Sequence, residues 1–220
     1  MIDEMGRLEL PLYHGTSSYF LAQIREHGLG GYRDSKLFDA EILANLADSL
    51  DNSQNSTAWW ELNSFVVRPM LERRVTSGGF NFRYGNTYLS SSRSTACGYA
   101  TSNPFGSEFL SIIYQAYMAL ASVNTSQAET ILPHNHPLRC FFRGSHRPIL
   151  LTLQGAPAEK LRTEQGDPIE DQLQSIISIC NAGLGRRDAL LQQLNFELEG
   201  SIDFSLLDVT ILDEGPTERF

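Results

Sequence analysis

The chain has 220 residues, 41% hydrophobic and 20% charged, a balance that fits a globular domain with a full core and excludes wholesale disorder. Its 26 acidic against 17 basic residues leave a formal net charge of −9. That excludes a broad phosphate-binding face, because non-specific nucleic-acid affinity rests on clustered Lys and Arg. Cys97, Cys140 and Cys180 are far apart and include no CxxC pair, which argues against a disulfide framework and a structural zinc site. The opening MIDEMGRLEL is acidic and lacks the basic start and apolar centre of a secretory signal. No run approaches the roughly 18 apolar residues of a membrane span. The expectation is one soluble domain over residues 1–220 that acts in a reducing compartment, without a membrane partner.

In chain order, residues 8–16 (LELPLYHGT) predict a short strand closing on a glycine turn. Ser17 or Ser18 then caps a helix carrying Phe20, Ile24 and Leu29, with Gly28 and Gly30 at its end. Residues 37–74 predict a helical insertion. Its first apolar group is Leu37, Ile42, Leu43 and Leu46, and its second runs from Trp59 and Trp60 to Met70 and Leu71, across the polar loop DNSQNST. Residues 86–92 (NTYLSSS) predict a strand, 94–100 a short helix and 105–123 a long apolar helix central to the packing. The segment HNHPLRCFFRGSHRP reads as turn-rich, and PILLTLQ over 148–154 as a strand buried on both faces. Helices over 168–181 and 186–194 precede two last strands, NFELEGSI and LLDVTIL. Short strands flanked by helices, without strict βαβ alternation, predict an α+β fold.

Three segments can carry chemistry. Tyr13-His14-Gly15-Thr16 ends the first strand, and a glycine after the histidine lets a ligand approach the backbone closely, since no Cβ obstructs it. A histidine in a plain turn is the alternative. On the second strand Tyr88 and Ser90 share a face. Tyr99, eleven residues after Tyr88, stands on the next helix, where a tyrosine ring offers a flat surface to a planar ligand. Both tyrosines can equally be core residues. In Asn195-Phe196-Glu197-Leu198-Glu199-Gly200, alternation turns Phe196 and Leu198 to the core and leaves Asn195, Glu197 and Glu199 on the other face. That face is either a solvated edge or a carboxylate source for a cleft.

Weaker signals have plainer readings. His134 and His136 would share a face if extended, but the pair precedes a proline and lacks a third ligand, so no metal is expected. His27-Gly28-Leu29-Gly30-Gly31 follows a helix and reads as helix termination. Arg73-Arg74 and Arg186-Arg187 read as solvated spots.

In this order the segments resemble the ADP-ribosyltransferases of the poly(ADP-ribose) polymerase type, whose signature is His, Tyr and usually Glu on three separated strands. LYHGTS is similar to the first motif. GNTYLSSSRSTACGYA is similar to the second, in which a second tyrosine follows the strand tyrosine at this spacing. RPILLTLQG resembles the central strand and NFELEGSIDFSLLDVTIL the closing hairpin. The likeness runs from Leu12 to Leu212, and the helical stretch over 37–74 has no counterpart in it.

The resemblance implies a split mixed or antiparallel sheet flanked by helices, with NAD⁺ as substrate in a cleft between the sheet halves. It gives His14 to the ribose beside the adenine, the Gly15 backbone to the nicotinamide amide with Thr16 and Ser90 assisting, and Tyr88 and Tyr99 to the nicotinamide ring. Nicotinamide departure passes through an oxocarbenium-like state, close to a glycosidic cleavage, and calls for a carboxylate. Here the sequence departs from the pattern. Counting back from Gly200, the usual Glu position holds Asn195, and Glu197 lies one strand repeat later on the same face. This favours single transfer over polymer elongation. The implied activity is mono-ADP-ribosyl transfer to a macromolecule, protein rather than nucleic acid. The compact build suits a bacterial toxin or effector, cytoplasmic or delivered to a target-cell cytosol. Two alternatives stand beside it. One is a catalytically inactive module that binds NAD⁺ or a partner, which Asn195 favours. The other is an NAD⁺-using RNA 2′-phosphotransferase, for which only Arg25, Arg33, Arg83 and Arg93 lie near the first two motifs.

Overall fold

A computed structural model of the chain describes residues 2–32, 36–72, 85–181, 191–192 and 194–212. Its elements begin with β1 (Arg7–Leu8), β2 (Leu12–Ser17), a 3-10 turn (Ser18–Phe20) and α1 (Leu21–His27). Next come α2 (Ala40–Asp51), α3 (Ala58–Leu71), β3 (Thr87–Ser90), α4 (Arg93–Ser102), α5 (Glu108–Val123), α6 (Thr125–Ile131) and α7 (Pro137–Phe142). The chain ends with β4 (Pro148–Leu153), β5 (Ala156–Pro157), β6 (Leu161–Thr163), α8 (Glu170–Asn181), β7 (Asn195–Leu198) and β8 (Leu207–Ile211). These form two compact units: Met1–Tyr32 with Asn86–Gly106 and His146–Phe220, and Arg33–Gly85 with Ser107–Ser145. The helical segment expected as an insertion shares the second unit with α5, α6 and α7.

The first unit is α+β. Its main sheet has the strand order β6-β7-β3-β2-β4-β8, every neighbouring pair antiparallel, and β1 and β5 form a small separate ladder. The strand expected over 8–16 is thus two strands. Pro11, with no N–H to give a ladder, sits at the break. Strand β4 runs between β2 and β8 with Ile149, Leu150, Leu151 and Leu153 all buried, as its unbroken apolar run requires. On one sheet face Leu12, Leu89, Ile149, Leu151, Phe196 and Leu198 form a continuous core with Ile24 and Leu29 from α1 and its end, and with Ile169 and Leu173 beside α8.

Helix α4 packs against β2. Ser92 caps it, its Oγ accepting from Thr95 N at 3.3 Å, and the small residues Ala96 and Ala100 form its buried side. The close approach depends on Gly15: a Cβ there would stand 2.0 Å from the Ala96 carbonyl oxygen and 3.0 Å from Ala100 Cβ. The two strands expected as a closing hairpin, β7 and β8, do not pair with each other. Strand β7 pairs with β3 and β6, whereas β8 pairs with β4 at the other side of the sheet. The chain between them is drawn across by an antiparallel bridge from Ile202 to Leu29 and by a 3-10 turn at Phe204–Leu206.

The second unit is helical. Asp39 caps α2 and Thr57 caps α3, on either side of the DNSQNST loop. Buried Phe109, Leu110, Ile113, Ala116 and Leu120 give α5 the central place its composition predicts. Trp60 Nε1 donates to Asp51 at 2.8 Å, and Arg68 pairs with Asp48 at 3.0 Å and with Asp51. The stretch read as turn-rich contains a helix, α7. Pro137 sits at its start, where a missing N–H costs nothing, His136 Nδ1 accepts from Leu138 N, and Leu138 and Phe141 are buried. The helix expected over 186–194 lies largely outside the described residues, as do Arg33, Arg73, Arg74, Arg83, Arg186, Arg187 and the Cys180 side chain; Cys97 and Cys140 are free thiols. Among the described residues no helix is long and apolar enough to cross a membrane.

Gly15→Ala forces α4 off β2, because the obstructing atoms are helix backbone and cannot rotate away. The expected cost is about 1–3 kcal/mol of unfolding free energy, read as a lowered urea midpoint at constant m-value.

Candidate functional site

Strands β2 and β3 meet at one register pair, Tyr13 with Ser90, whereas β2 and β4 share six pairs and β3 and β7 share four. The sheet is therefore split into β6-β7-β3 and β2-β4-β8, held by a single backbone pair at its middle. One residue past that pair a side chain takes over: His14 Nδ1 lies 2.8 Å from the Tyr88 carbonyl oxygen. A carbonyl can only accept, so Nδ1 carries the hydrogen and Nε2 of the neutral ring is left as an acceptor. Burial pushes the His14 pKa below the usual imidazole range, against the opposing pull of the Tyr88 carbonyl. The ring is thus mainly neutral near pH 7.

The register across β3, β7 and β6 fixes what shares a face with Tyr88. Glu197 stands directly opposite Tyr88, Asn195 opposite Ser90, and Arg162 opposite Glu197 on the far side. Phe196 and Leu198 point into the core, so the expected alternation of this strand is observed. Strand β7 lies between two partners, which makes Asn195 and Glu197 residues of an interior strand and not of a solvated edge. Glu197 Oε1 accepts from Asn86 Nδ2 at 2.7 Å. Asn195 Nδ2 donates to Glu164 Oε1 at 3.1 Å, and its main-chain oxygen accepts from Gln172 Nε2 of α8 at 3.1 Å. Glu199, beyond the strand, pairs with Arg162 at 2.7 Å. Tyr99 stands on α4 next to the buried Ala96 side, 39% exposed.

At three of the expected contact residues the scaffold makes interactions of its own. The position that demands glycine at residue 15 is filled by α4, so packing alone accounts for Gly15. Thr16 is buried with its Oγ1 donating to Gly106 O at 3.2 Å, and Ser90 Oγ accepts from Ser92 N at 3.2 Å, tightening the entry to α4. Ser91 Oγ donates to Leu191 O at 2.9 Å. Elsewhere, His134 receives Arg143 at both Nε2 and its main-chain oxygen, and His136 caps α7. Among the described residues no cluster of His, Cys, Asp or Glu is arranged for a metal ion. Gly28 and Gly30 have φ of 80° and 84° and end α1 as the sequence suggests, and Arg25 lies over the Phe204 ring. An open groove of about 650 Å³ in the second unit, lined mainly by the side chains Asn45, Asp48, Asn52, Asn124 and Gln127, brings no nucleophile or acid-base pair together.

The sequence reading missed Glu164, Gln172 and Asn86, which hold Asn195 and Glu197 in place. Nothing local marks them: each is a single polar residue, brought to β7 from the turn after β6, from α8 and from the residue before β3 by the tertiary fold. Comparison with protein-family models, curated proteins and solved structures finds no match for this chain.

The depressed His14 pKa has a sign. Below about pH 6.5 the unfolded chain takes up the imidazole proton that the native chain resists, so native stability is present above that pH and falls as pH drops through it. His14→Asn keeps an N–H for Tyr88 and does not titrate. Urea melts at about pH 7.5 and 5.5 are expected to show a larger loss for the native chain than for this variant; equal losses would remove the neutral, partly buried His14.

Proposed function

We propose that this chain is an NAD⁺-dependent mono-ADP-ribosyltransferase with an ADP-ribosyltransferase-type fold, acting on a macromolecular acceptor. The observation that carries the reading is the arrangement of the three motif segments. His14, Tyr88 and the Asn195–Glu197 pair stand on β2, β3 and β7, three strands that are consecutive in the sheet and split between the first two. The register turns Tyr88, Asn195 and Glu197 to one face, while His14, opposite Leu151, starts from the other face and reaches the Tyr88 backbone at the split. His14 and Tyr88 are 74 residues apart in the chain and joined by a hydrogen bond across that split.

The fit to NAD⁺ rests on the chemistry of partly exposed donors and acceptors. Neutral His14 offers Nε2 to a hydroxyl donor, as a ribose presents, and the neutral ring adds no positive charge near the ribose cation that develops as nicotinamide leaves uncharged. Tyr99 supplies a partly exposed aromatic face, and Tyr88 supplies a second on the strand. Asn195 and Glu197 bring an amide and a carboxylate to the Tyr88 face. NAD⁺ supplies the chemistry: the bond between ribose C1′ and nicotinamide nitrogen breaks, nicotinamide keeps the electron pair, and the acceptor's nucleophile bonds C1′ as it gives up a proton. The residues' share is to hold the ribose hydroxyls and to place negative charge near the developing cation. The amide at Asn195 also supports the second reading, a module that binds NAD⁺ without consuming it.

Nicotinamide release from NAD⁺, with and without cell lysate as acceptor source, separates the two. Release by the native chain, lowered about 100-fold in His14→Asn, is the expected result. Binding without release in any lysate, from a folded protein, gives the binding module. Tyr99→Ala is expected to weaken NAD⁺ binding about tenfold, the size of one lost stacking contact; an unchanged Kd removes Tyr99 from the site.

A further inference from the structure

Asn195 leaves the β7 position without charge, yet a carboxylate stands against it. The ladder between β6 and β7 pairs Leu161 with Leu198, Arg162 with Glu197 and Thr163 with Phe196. Continued by one residue, the same register sets Glu164 opposite Asn195, and there Asn195 Nδ2 donates to Glu164 Oε1 at 3.1 Å. Glu164 is not on a loose loop. Its turn is closed by Thr163 N donating to Asp167 O at 2.9 Å, by Gly166 N donating to Thr163 O at 2.9 Å, and by Asp167 N donating to Thr163 Oγ1 at 3.0 Å.

The consequence for Asn195 is chemical. A carboxylate accepts and cannot donate, so the amide must turn Nδ2 toward Glu164 and Oδ1 away from it. Gln172 holds the main-chain carbonyl of the same residue, so Asn195 is anchored at its backbone as well as at its side chain. The oxygen facing away is then an acceptor with a negative charge directly behind its amide, and a hydrogen bond to an ionised group polarises the amide it contacts. Glu197, by contrast, is engaged by Asn86 and lies in the next row of the face, beside Arg162.

We infer that Glu164 is a positioning residue for ADP-ribosyl transfer: it orients Asn195 Oδ1 toward a ribose hydroxyl and supplies, through the amide, the negative charge that Asn195 lacks. This rests on the proposed function above. No proton is passed between the two side chains; the pair acts by orientation and charge.

The test is nicotinamide release by the full chain, comparing wild type, Glu164→Gln and the double variant Glu164→Gln with Asn195→Asp. Gln at position 164 keeps an oxygen for the Asn195 N–H and nearly the same volume, so a residue with only a structural role gives wild-type turnover and an unchanged melting temperature. The inference expects Glu164→Gln to melt like wild type and lose about 100-fold in kcat, with KM within about threefold. The double variant puts a carboxylate on β7 itself and is expected to recover at least about tenfold of that loss. Turnover by wild type matched by Glu164→Gln overturns this inference and leaves the enzyme reading standing. So does a deficit in Glu164→Gln that the double variant leaves unrelieved. Absence of release from folded wild type removes the enzyme reading itself, and this inference with it.

Discussion

The weak seam between β2 and β3 is the constraint on which the site depends. A sheet normally satisfies the backbone groups of an interior strand on both edges, and a strand edge without a partner is costly when buried. Here β2 has a full ladder with β4 and β3 a full ladder with β7, but the two meet at Tyr13 and Ser90 alone. Past that point the Tyr88 carbonyl is satisfied by an imidazole in place of an amide. That substitution does two things at once. It fixes the tautomer of His14, and it places an imidazole where a continuous sheet would have had a backbone amide.

The helix over this seam is held by subtraction. Gly15 has no side chain, Ala96 and Ala100 have one carbon each, and Ser90 and Ser92 turn their hydroxyls back on the local backbone. Such small residues let α4 approach β2 closely and so carry Tyr99 toward the same side of the sheet as Gly15. The glycine that invites a ligand in the sequence is thus used first by the protein itself.

How much of this can be read from the chain follows from how local each cause is. The alternation of Phe196 and Leu198 and the apolar run of β4 are written in consecutive residues, and each is observed. Pro137 at the start of α7 is also a local sign, but the surrounding His, Arg and Gly residues outweigh it when the segment is read by composition. The break at Pro11 is likewise local. Other features depend on strand order and have no local sign. The separation of β7 from β8 is one, since a chain that reads as a hairpin is spread over two sides of the sheet. The meeting of Glu164 with Asn195 is another, because β6 has three residues and its neighbour in the sheet is reached only after α8. Gly15 lies between: its need for glycine is legible, while the reason for it is held by atoms of Ala96 and Ala100.

Sheet order also differs from synthesis order in a way that bears on folding. β3 is made early, yet one of its two neighbours, β7, is made near the end of the described chain. Until Asn195–Leu198 arrive, one edge of β3 is open and the other is joined to β2 by a single pair. The strand bearing Tyr88 can therefore be locked in only late, by a contact of long sequence separation, which is the kind that slows folding. During synthesis the first unit passes through a stage with an exposed strand edge, the condition under which nascent chains pair wrongly with one another and recruit chaperones.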